Sequence, residues 1–399
     1  MNGFSRRFPI FAVAAVLLTA ALSSLLTALY FTRVYEKPAF APLAEMAQTI
    51  EKNYYFADDT TNDQKLVDDA LRGMIAGIGD VYAEYLTEAE YKELLAEDSA
   101  EYEGIGVSVS EPDTVGSLIL KVYADSPAEE AGIRAGDVIT VVNGKPVGAL
   151  SLADMLKLFS TESGGSDTLT LQRGDEAYTV TVTRRAIHVP RVYYELLDNN
   201  VGYIRIEEFA GDVVGEFSAA ISALTGQNAA KLVVDLRNNP GGGLTEVLGT
   251  VECVLDKGAV IATVRSRAGD EKLYKATKQG VDLPLAVLVN GYSASGSEMF
   301  SGAVQDNGRG KIIGTQTFGK GIVQSYFRLN SNGGWVKITT DAYFTPSGVC
   351  IHGVGIAPDI AVELAGGKDE YVDISTLGHA DDAQLQAALQ YLAGQNGGN

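Results

Sequence analysis

Apolar residues recur at three- and four-residue steps through Leu43, Met46, Ala47, Ile50 and Tyr54, and this helical spacing runs over 42–98. Thr61 with Gln64, and Thr87 with Glu90, are capping-box pairs that each predict a helix start. Across Glu103-Gly104-Ile105-Gly106-Val107-Ser108-Val109 the period changes to alternation, which predicts one strand. A helix from Ser151 follows, with Leu152, Met155, Leu156 and Phe159 on one face, then strands near Leu169 and Tyr178. Beyond Arg185 the pattern predicts a strand at 201–206, a helix at 213–224, a strand at 231–236 and a helix at 244–255. Strands at 259–264 and 285–290, a helix at 296–306 and a strand at 311–314 continue the alternation. Such alternation is the pattern of an α/β core with crossover connections.

The N-terminus breaks this pattern. Arg6 and Arg7 precede positions 9–31, which carry no charge. At ~1.5 Å per residue this stretch reaches ~35 Å as a helix, enough to span a hydrocarbon core of ~30 Å. It exceeds a signal-peptide core of ~7–15 residues, and the nearest small-x-small site, Ala39-Phe40-Ala41, lies well past its end. An uncleaved transmembrane anchor is expected, with 1–8 in the cytoplasm and the remainder on the extracytoplasmic side. A cleaved signal would give the same compartment.

Composition narrows the partners. At 399 residues and 46% hydrophobic content the chain has material for two or three domains with real cores. A net charge of −20 excludes nucleic acid as a partner and adhesion to anionic headgroups. Cys253 and Cys350 fit no metal-ligand spacing and have apolar neighbours, so two free core thiols are expected rather than a disulfide. No metal or cofactor site is read. The cluster Tyr54-Tyr55-Phe56 and the helical stretches 42–98 and 380–393 are compatible with a homodimer.

Candidate chemistry concentrates in 285–324. The apolar run Leu285-Ala286-Val287-Leu288-Val289 breaks at Asn290-Gly291-Tyr292-Ser293-Ala294-Ser295-Gly296-Ser297-Glu298 and resumes as helix. That layout puts Ser295 at a helix N-terminus, where unpaired N–H groups favour an oxyanion. Ser293 and Ser297 are rival nucleophiles. The segment lacks a histidine; its basic residue is Lys320, between two glycines. His352 with Asp341 could complete a histidine-based set, while His188 and His379 are less attractive. Gly314 to Lys320 follows the spacing of a phosphate-binding loop, but Gly321 replaces its Ser or Thr and strand rather than helix follows. Pro240-Gly241-Gly242-Gly243, after a buried strand, can aim N–H groups at a carbonyl.

Two resemblances rest on these residues. Over 101–185 the chain resembles a PDZ domain of the bacterial protease type, through Gly104-Ile105-Gly106-Val107, the run Ala131-Gly132-Ile133-Arg134-Ala135-Gly136-Asp137 and the turn Val142-Asn143-Gly144. Backbone N–H groups around Ile105 and Gly106 would hold a C-terminal carboxylate. The tail would add as a strand beside 106–110, against Met155 and Phe159.

The order Asp235-Leu236-Arg237-Asn238-Asn239-Pro240-Gly241-Gly242, the Ser295 segment, Thr317-Phe318-Gly319-Lys320-Gly321-Ile322-Val323-Gln324 and Tyr343-Phe344-Thr345-Pro346-Ser347-Gly348 with Gly355-Ile356-Ala357-Pro358-Asp359 resembles the carboxy-terminal processing peptidases, or tail-specific proteases. The resemblance spans 44 to about 363. It implies a crotonase-like α/β core with an inserted PDZ domain, hence domains at 9–31 (anchor), 42–98 (helical), 101–185 (PDZ), 186–365 (protease core) and 366–399 (tail with helix). It also implies a serine endopeptidase that cuts proteins near C-termini selected by the PDZ domain. The implied dyad is Ser295 with Lys320, 25 positions on, assisted by Gln324, with oxyanion donors from Gly296 and from Gly241 or Gly242. Gly243 and Gly296 stand where other members often carry leucine or alanine. A lysine can act as base only when uncharged, so it needs dry walls, with Phe318, Ile322 and the 285–289 strand as candidates. In an extended chain Lys320 and Gln324 would lie ~13 Å apart, so their tips require a bend. The alternatives are a catalytically silent membrane-anchored PDZ scaffold or adaptor, and acyl chemistry on a thioester.

Overall fold

The computed structural model describes residues 16–27, 41–56, 63–99, 101–159, 164–364, 377 and 379–395, and the chain divides into two compact units, Met1–Tyr85 and Leu86–Asn399. In the first, 16–27 is helical, with Val16, Leu17, Leu18, Leu22, Leu25 and Leu26 exposed. Among the described residues no helix is long and apolar enough to cross a membrane. The flanks of the expected anchor, 9–15 and 28–31, lie outside them, as does Thr61 of the first capping pair. Helices Ala41–Asn53 and Asp63–Ala76 follow the three-to-four spacing. The Tyr85 hydroxyl donates to Asp68 at 2.6 Å, and Arg72 donates to the Tyr85 carbonyl at 2.9 Å.

The second unit opens with helix Glu88–Asp98, whose predicted box forms: Thr87 N–H donates to Glu90 Oε2 at 2.7 Å, and Glu90 N–H to Thr87 Oγ1 at 3.3 Å. The strand predicted over 103–109 is two strands. Gly106 takes φ 85 and turns the chain between Glu101–Gly104 and Val107–Val109. Glu101–Gly104 pairs antiparallel with Arg185–His188, so a two-stranded ribbon stands at both junctions of the intervening module. Inside the module Val107–Val109 is the edge of a sheet that continues through Ser117–Val122, Val138–Val142, Ser166–Arg173 and Glu176–Thr183. Ile119, Ile139, Val142, Met155, Leu169 and Leu171 fill its core.

The remaining core is a six-stranded sheet in the order Val192–Leu197, Val201–Ile206, Lys231–Asp235, Leu285–Val289, Lys311–Gly314, Ile360–Ala361. The first pair is antiparallel and the rest parallel. Both faces are covered, which is why the central strands are apolar throughout. Leu232, Val234, Val287 and Val289 meet helices Val213–Gly226, Leu244–Glu252 and Gly296–Asp306. Val233, Ala286 and Leu288 face helix Ala383–Ala393 through Leu385, Ala388 and Leu392. A second layer pairs Trp335–Phe344 with Ile322–Arg328 on one side and Val260–Ser266 on the other. Both thiols are free.

Candidate active site

Strand Leu285–Val289 is buried along its length, and the chain leaves it by a tight turn. The Asn290 side-chain oxygen accepts from the N–H groups of Asn238 at 3.0 Å and Tyr292 at 3.1 Å, an Asx turn tied to the neighbouring loop. Ser295 then caps helix Gly296–Asp306 with φ 52 and ψ −109, a conformation that residues with a β-carbon rarely adopt. Ser295 is half-buried at a cavity wall. Ser293 and Ser297 are fully buried, and their hydroxyls donate to the carbonyls of Leu236 at 2.7 Å and Asn239 at 2.9 Å. Exposure separates the three serines where sequence left them as rivals.

Glu298 has no exposed surface. Its Oε2 accepts from the N–H groups of Ser295 and Lys320, each at 2.8 Å. Its Oε1 accepts from the Thr317 hydroxyl at 2.6 Å and the Gly319 N–H at 2.7 Å. One carboxylate therefore fastens the Ser295 turn to the segment carrying Lys320. Burial pushes the carboxyl above its ordinary range, and the four donors oppose that shift. Sequence reading quoted Glu298 without assigning it a role; an acid three residues after Ser295 was the available signal.

Lys320 lies in a bent segment. Gly319 takes φ 94, and a side-chain carbon at Gly321 would stand 2.5 Å from the His352 backbone nitrogen. Extended chain starts only at Ile322, with a register shift between Val323 and Gln324. Lys320 and Gln324 border the same cavity as Ser295. Gln324 Nε2 donates to Thr339 Oγ1 at 3.3 Å.

That cavity holds about 450 Å³ and is walled by Phe209, Met299, Ile322, Val323 and Tyr343. Two expected walls are corrected: Phe318 is 56% exposed, and the 285–289 strand is committed to the sheet core. Asp98, Glu208, Glu246 and Lys337 give the cavity charged borders. The Tyr343 hydroxyl donates to the Ser295 carbonyl at 2.8 Å.

The oxyanion candidates divide. Gly241 N–H donates to Asn239 Oδ1 at 2.8 Å and is engaged, so this candidate is corrected. Gly241 instead packs with φ 106 so closely that a side-chain carbon there would lie 2.7 Å from Gly296 N. Gly242 and Gly296 both border the cavity, and among the described residues neither N–H has a hydrogen-bond acceptor. No histidine borders the cavity: His188 pairs with Glu216 at 2.7 Å, His379 with Glu195 at 3.2 Å, and His352 abuts Gly321 through its backbone but is exposed. Asp341 accepts from the Thr340 hydroxyl. The histidine-based set is not assembled. Among the described residues no His, Cys, Asp and Glu cluster is arranged to hold a metal ion.

In the smaller module Gly104, Ile105, Gly106 and Val107 form the turn beside the open edge strand Val107–Val109. Met155 and Phe159 depart from expectation. Helix Leu152–Leu156 stops before Phe159, and Met155 is wholly inside the core, so it offers no surface to a strand lying outside. Phe159 packs partly buried against the same core.

Ser295 and Lys320 border one cavity of an α/β core that carries a small sheet module between two ribbon strands. Peptidase family S41 matches residues 200–362, and a PDZ domain matches 118–173. Residues 200–362 thus form an S41 peptidase region, and the chain carries a PDZ domain. A CtpA-like serine protease of Staphylococcus epidermidis (strain ATCC 35984) is 36% identical over 318 residues, 79% of this chain and 64% of that protein. The chain thus spans slightly less than two thirds of that relative. The photosystem II D1 C-terminal processing protease is 28% identical, with a TM-score of 0.48 over 80% of this chain and 92% of that one. A Bacteroides fragilis NCTC 9343 structure described as an S41 protease shares the fold at 16% identity, with a TM-score of 0.53 over 88% and 97% of the two chains.

Proposed function

We propose that this chain is a serine endopeptidase that hydrolyses proteins near their C-termini, with Ser295 as nucleophile and Lys320 as its base. The observation that carries the reading is one cavity bordered by Ser295, Lys320, Gln324 and the two unengaged N–H groups of Gly242 and Gly296. Neutral Lys320 takes the Ser295 proton as Oγ attacks the scissile carbonyl, and Gly242 and Gly296 N–H hold the oxyanion. The ammonium then returns its proton to the leaving amine, and water repeats the sequence on the acyl-enzyme. Gln324, held through its amide nitrogen by Thr339, offers its oxygen to the lysine amine. The crotonase-like description of the core belongs to this reading.

The tail carboxylate binds at Gly104 to Val107, and the tail extends the sheet at Val107–Val109, whose outer edge is open. The uncharged stretch 9–31 anchors the enzyme, with the catalytic unit outside the cytoplasmic membrane. Ser295→Ala and Lys320→Ala should each abolish cleavage of a protein ending in an apolar tail, while His352→Ala leaves it intact. Retained cleavage in either of the first two removes the dyad. A chain that binds the tail and never cuts it would be the scaffold instead.

A further inference from the structure

We infer that Tyr343 is a positioning residue for the reaction, its hydroxyl fixing the Ser295 peptide while its main chain fixes the Lys320 loop. The inference rests on the dyad reading above. The Tyr343 hydroxyl donates to the Ser295 carbonyl at 2.8 Å, and the Tyr343 N–H donates to the Gly321 carbonyl, next to Lys320, at 3.0 Å. A single residue thus touches the main chain on both sides of the dyad.

Tyr343 is itself fixed. Only 1% of it is exposed, and it lies in strand Trp335–Phe344, registered opposite Val264. Ser295 is the part that needs holding. With φ 52 and ψ −109 it is off the ordinary backbone minima, and its carbonyl also starts the helix by accepting from Glu298 N–H and Met299 N–H, both at 2.9 Å. Glu298 fixes the amide of this residue and Tyr343 its carbonyl, so rotation of the turn is blocked at both ends. Oγ direction follows from that backbone, and small misplacement of a nucleophile lowers turnover without weakening binding. Burial, and next the Glu298 charge, push the Tyr343 phenol well above its usual range, which keeps the hydroxyl protonated as the donor to the Ser295 carbonyl.

Tyr343→Phe removes the hydroxyl and keeps the ring. Its loss corresponds to about one neutral hydrogen bond, so kcat for a tailed protein should fall about tenfold, with KM unchanged, the pH profile keeping its shape and Tm lower by no more than the few degrees such a bond is worth. Para-aminophenylalanine incorporated at position 343 restores a donor and should recover most of kcat, which a ring that only fills space would not require. A Tyr343→Phe kcat within twofold of the parent overturns the inference, as does a loss that appears in KM instead of kcat or that para-aminophenylalanine does not recover. Ser295→Ala is assayed beside it. Residual cleavage there removes the dyad reading itself, whereas an inactive Ser295→Ala with a fully active Tyr343→Phe removes only the role of Tyr343.

Discussion

Glu298 shows what a single buried carboxylate can organise. Four donors converge on it from Ser295, Thr317, Gly319 and Lys320, two on each oxygen. Glu298→Gln is nearly isosteric, yet either orientation of the amide turns an NH2 toward two donors. Unmade bonds of this kind cost about 1–3 kcal/mol. The variant should lose at least tenfold in kcat and more Tm than Tyr343→Phe; steady-state kinetics with a thermal melt test it, and an unchanged kcat contradicts it. The strand-to-helix turn around Ser295 was legible in sequence, but only the resemblance preferred Ser295 over Ser293 and Ser297. Glu298 was not, because three of its donors come from 19 to 22 positions downstream, and local spacing describes only its bond to Ser295.

Elements were legible wherever periodicity was uninterrupted: the helix at 296–306 and the strand at 311–314 form at their predicted bounds. The strand over 103–109 failed because alternation of apolar residues continues straight through Gly106, while its φ of 85 changes the direction of the chain. That break has a functional correlate. Tyr102, on the ribbon strand Glu101–Gly104, lays its ring on Gly104, where a side-chain carbon would lie 2.2 Å from Cε2. Its phenol faces the N–H groups of Gly106 and Val107, which the proposed function assigns to a tail carboxylate. Under the proposed function an incoming tail competes with the Tyr102 phenol for these donors. Tyr102→Phe should therefore tighten binding of a free apolar tail peptide several-fold, on the scale of ~1 kcal/mol for one neutral hydrogen bond. Calorimetric titration measures it, and an equal or weaker affinity contradicts the competition.

At the scale of the whole molecule the C-terminal helix is stitched to the strand that leads into the glycine loop. Arg237, two residues past strand Lys231–Asp235, forks onto Asp235 and, 145 positions away, onto Asp382 at 2.9 and 2.7 Å. Asp382 in turn caps helix Ala383–Ala393 by accepting from Gln384 and Leu385 N–H. At the strand's other end Lys231 Nζ donates to the Leu392 carbonyl at 2.6 Å, so the helix is held at both termini by charges that suit its dipole. The helix was legible at 380–393 from its spacing, but its docking partner was not, since nothing local marks Arg237 as long-range. Removing one member of a fully buried ion pair leaves an uncompensated charge and typically costs about 3–5 kcal/mol. Asp382→Ala should accordingly lower Tm by on the order of 10 °C. Because Arg237 begins the loop that presents Gly242, cleavage at 25 °C should fall as well, though no residue of the C-terminal helix borders the cavity. Gln384→Ala, which removes no charge and loses a 3.2 Å contact to the same guanidinium and a 2.8 Å bond to the Val362 carbonyl, serves as the milder comparison. A Tm change below about 2 °C for Asp382→Ala would mean that the guanidinium is satisfied by Asp235 alone, and the helix would then be a cover rather than a brace.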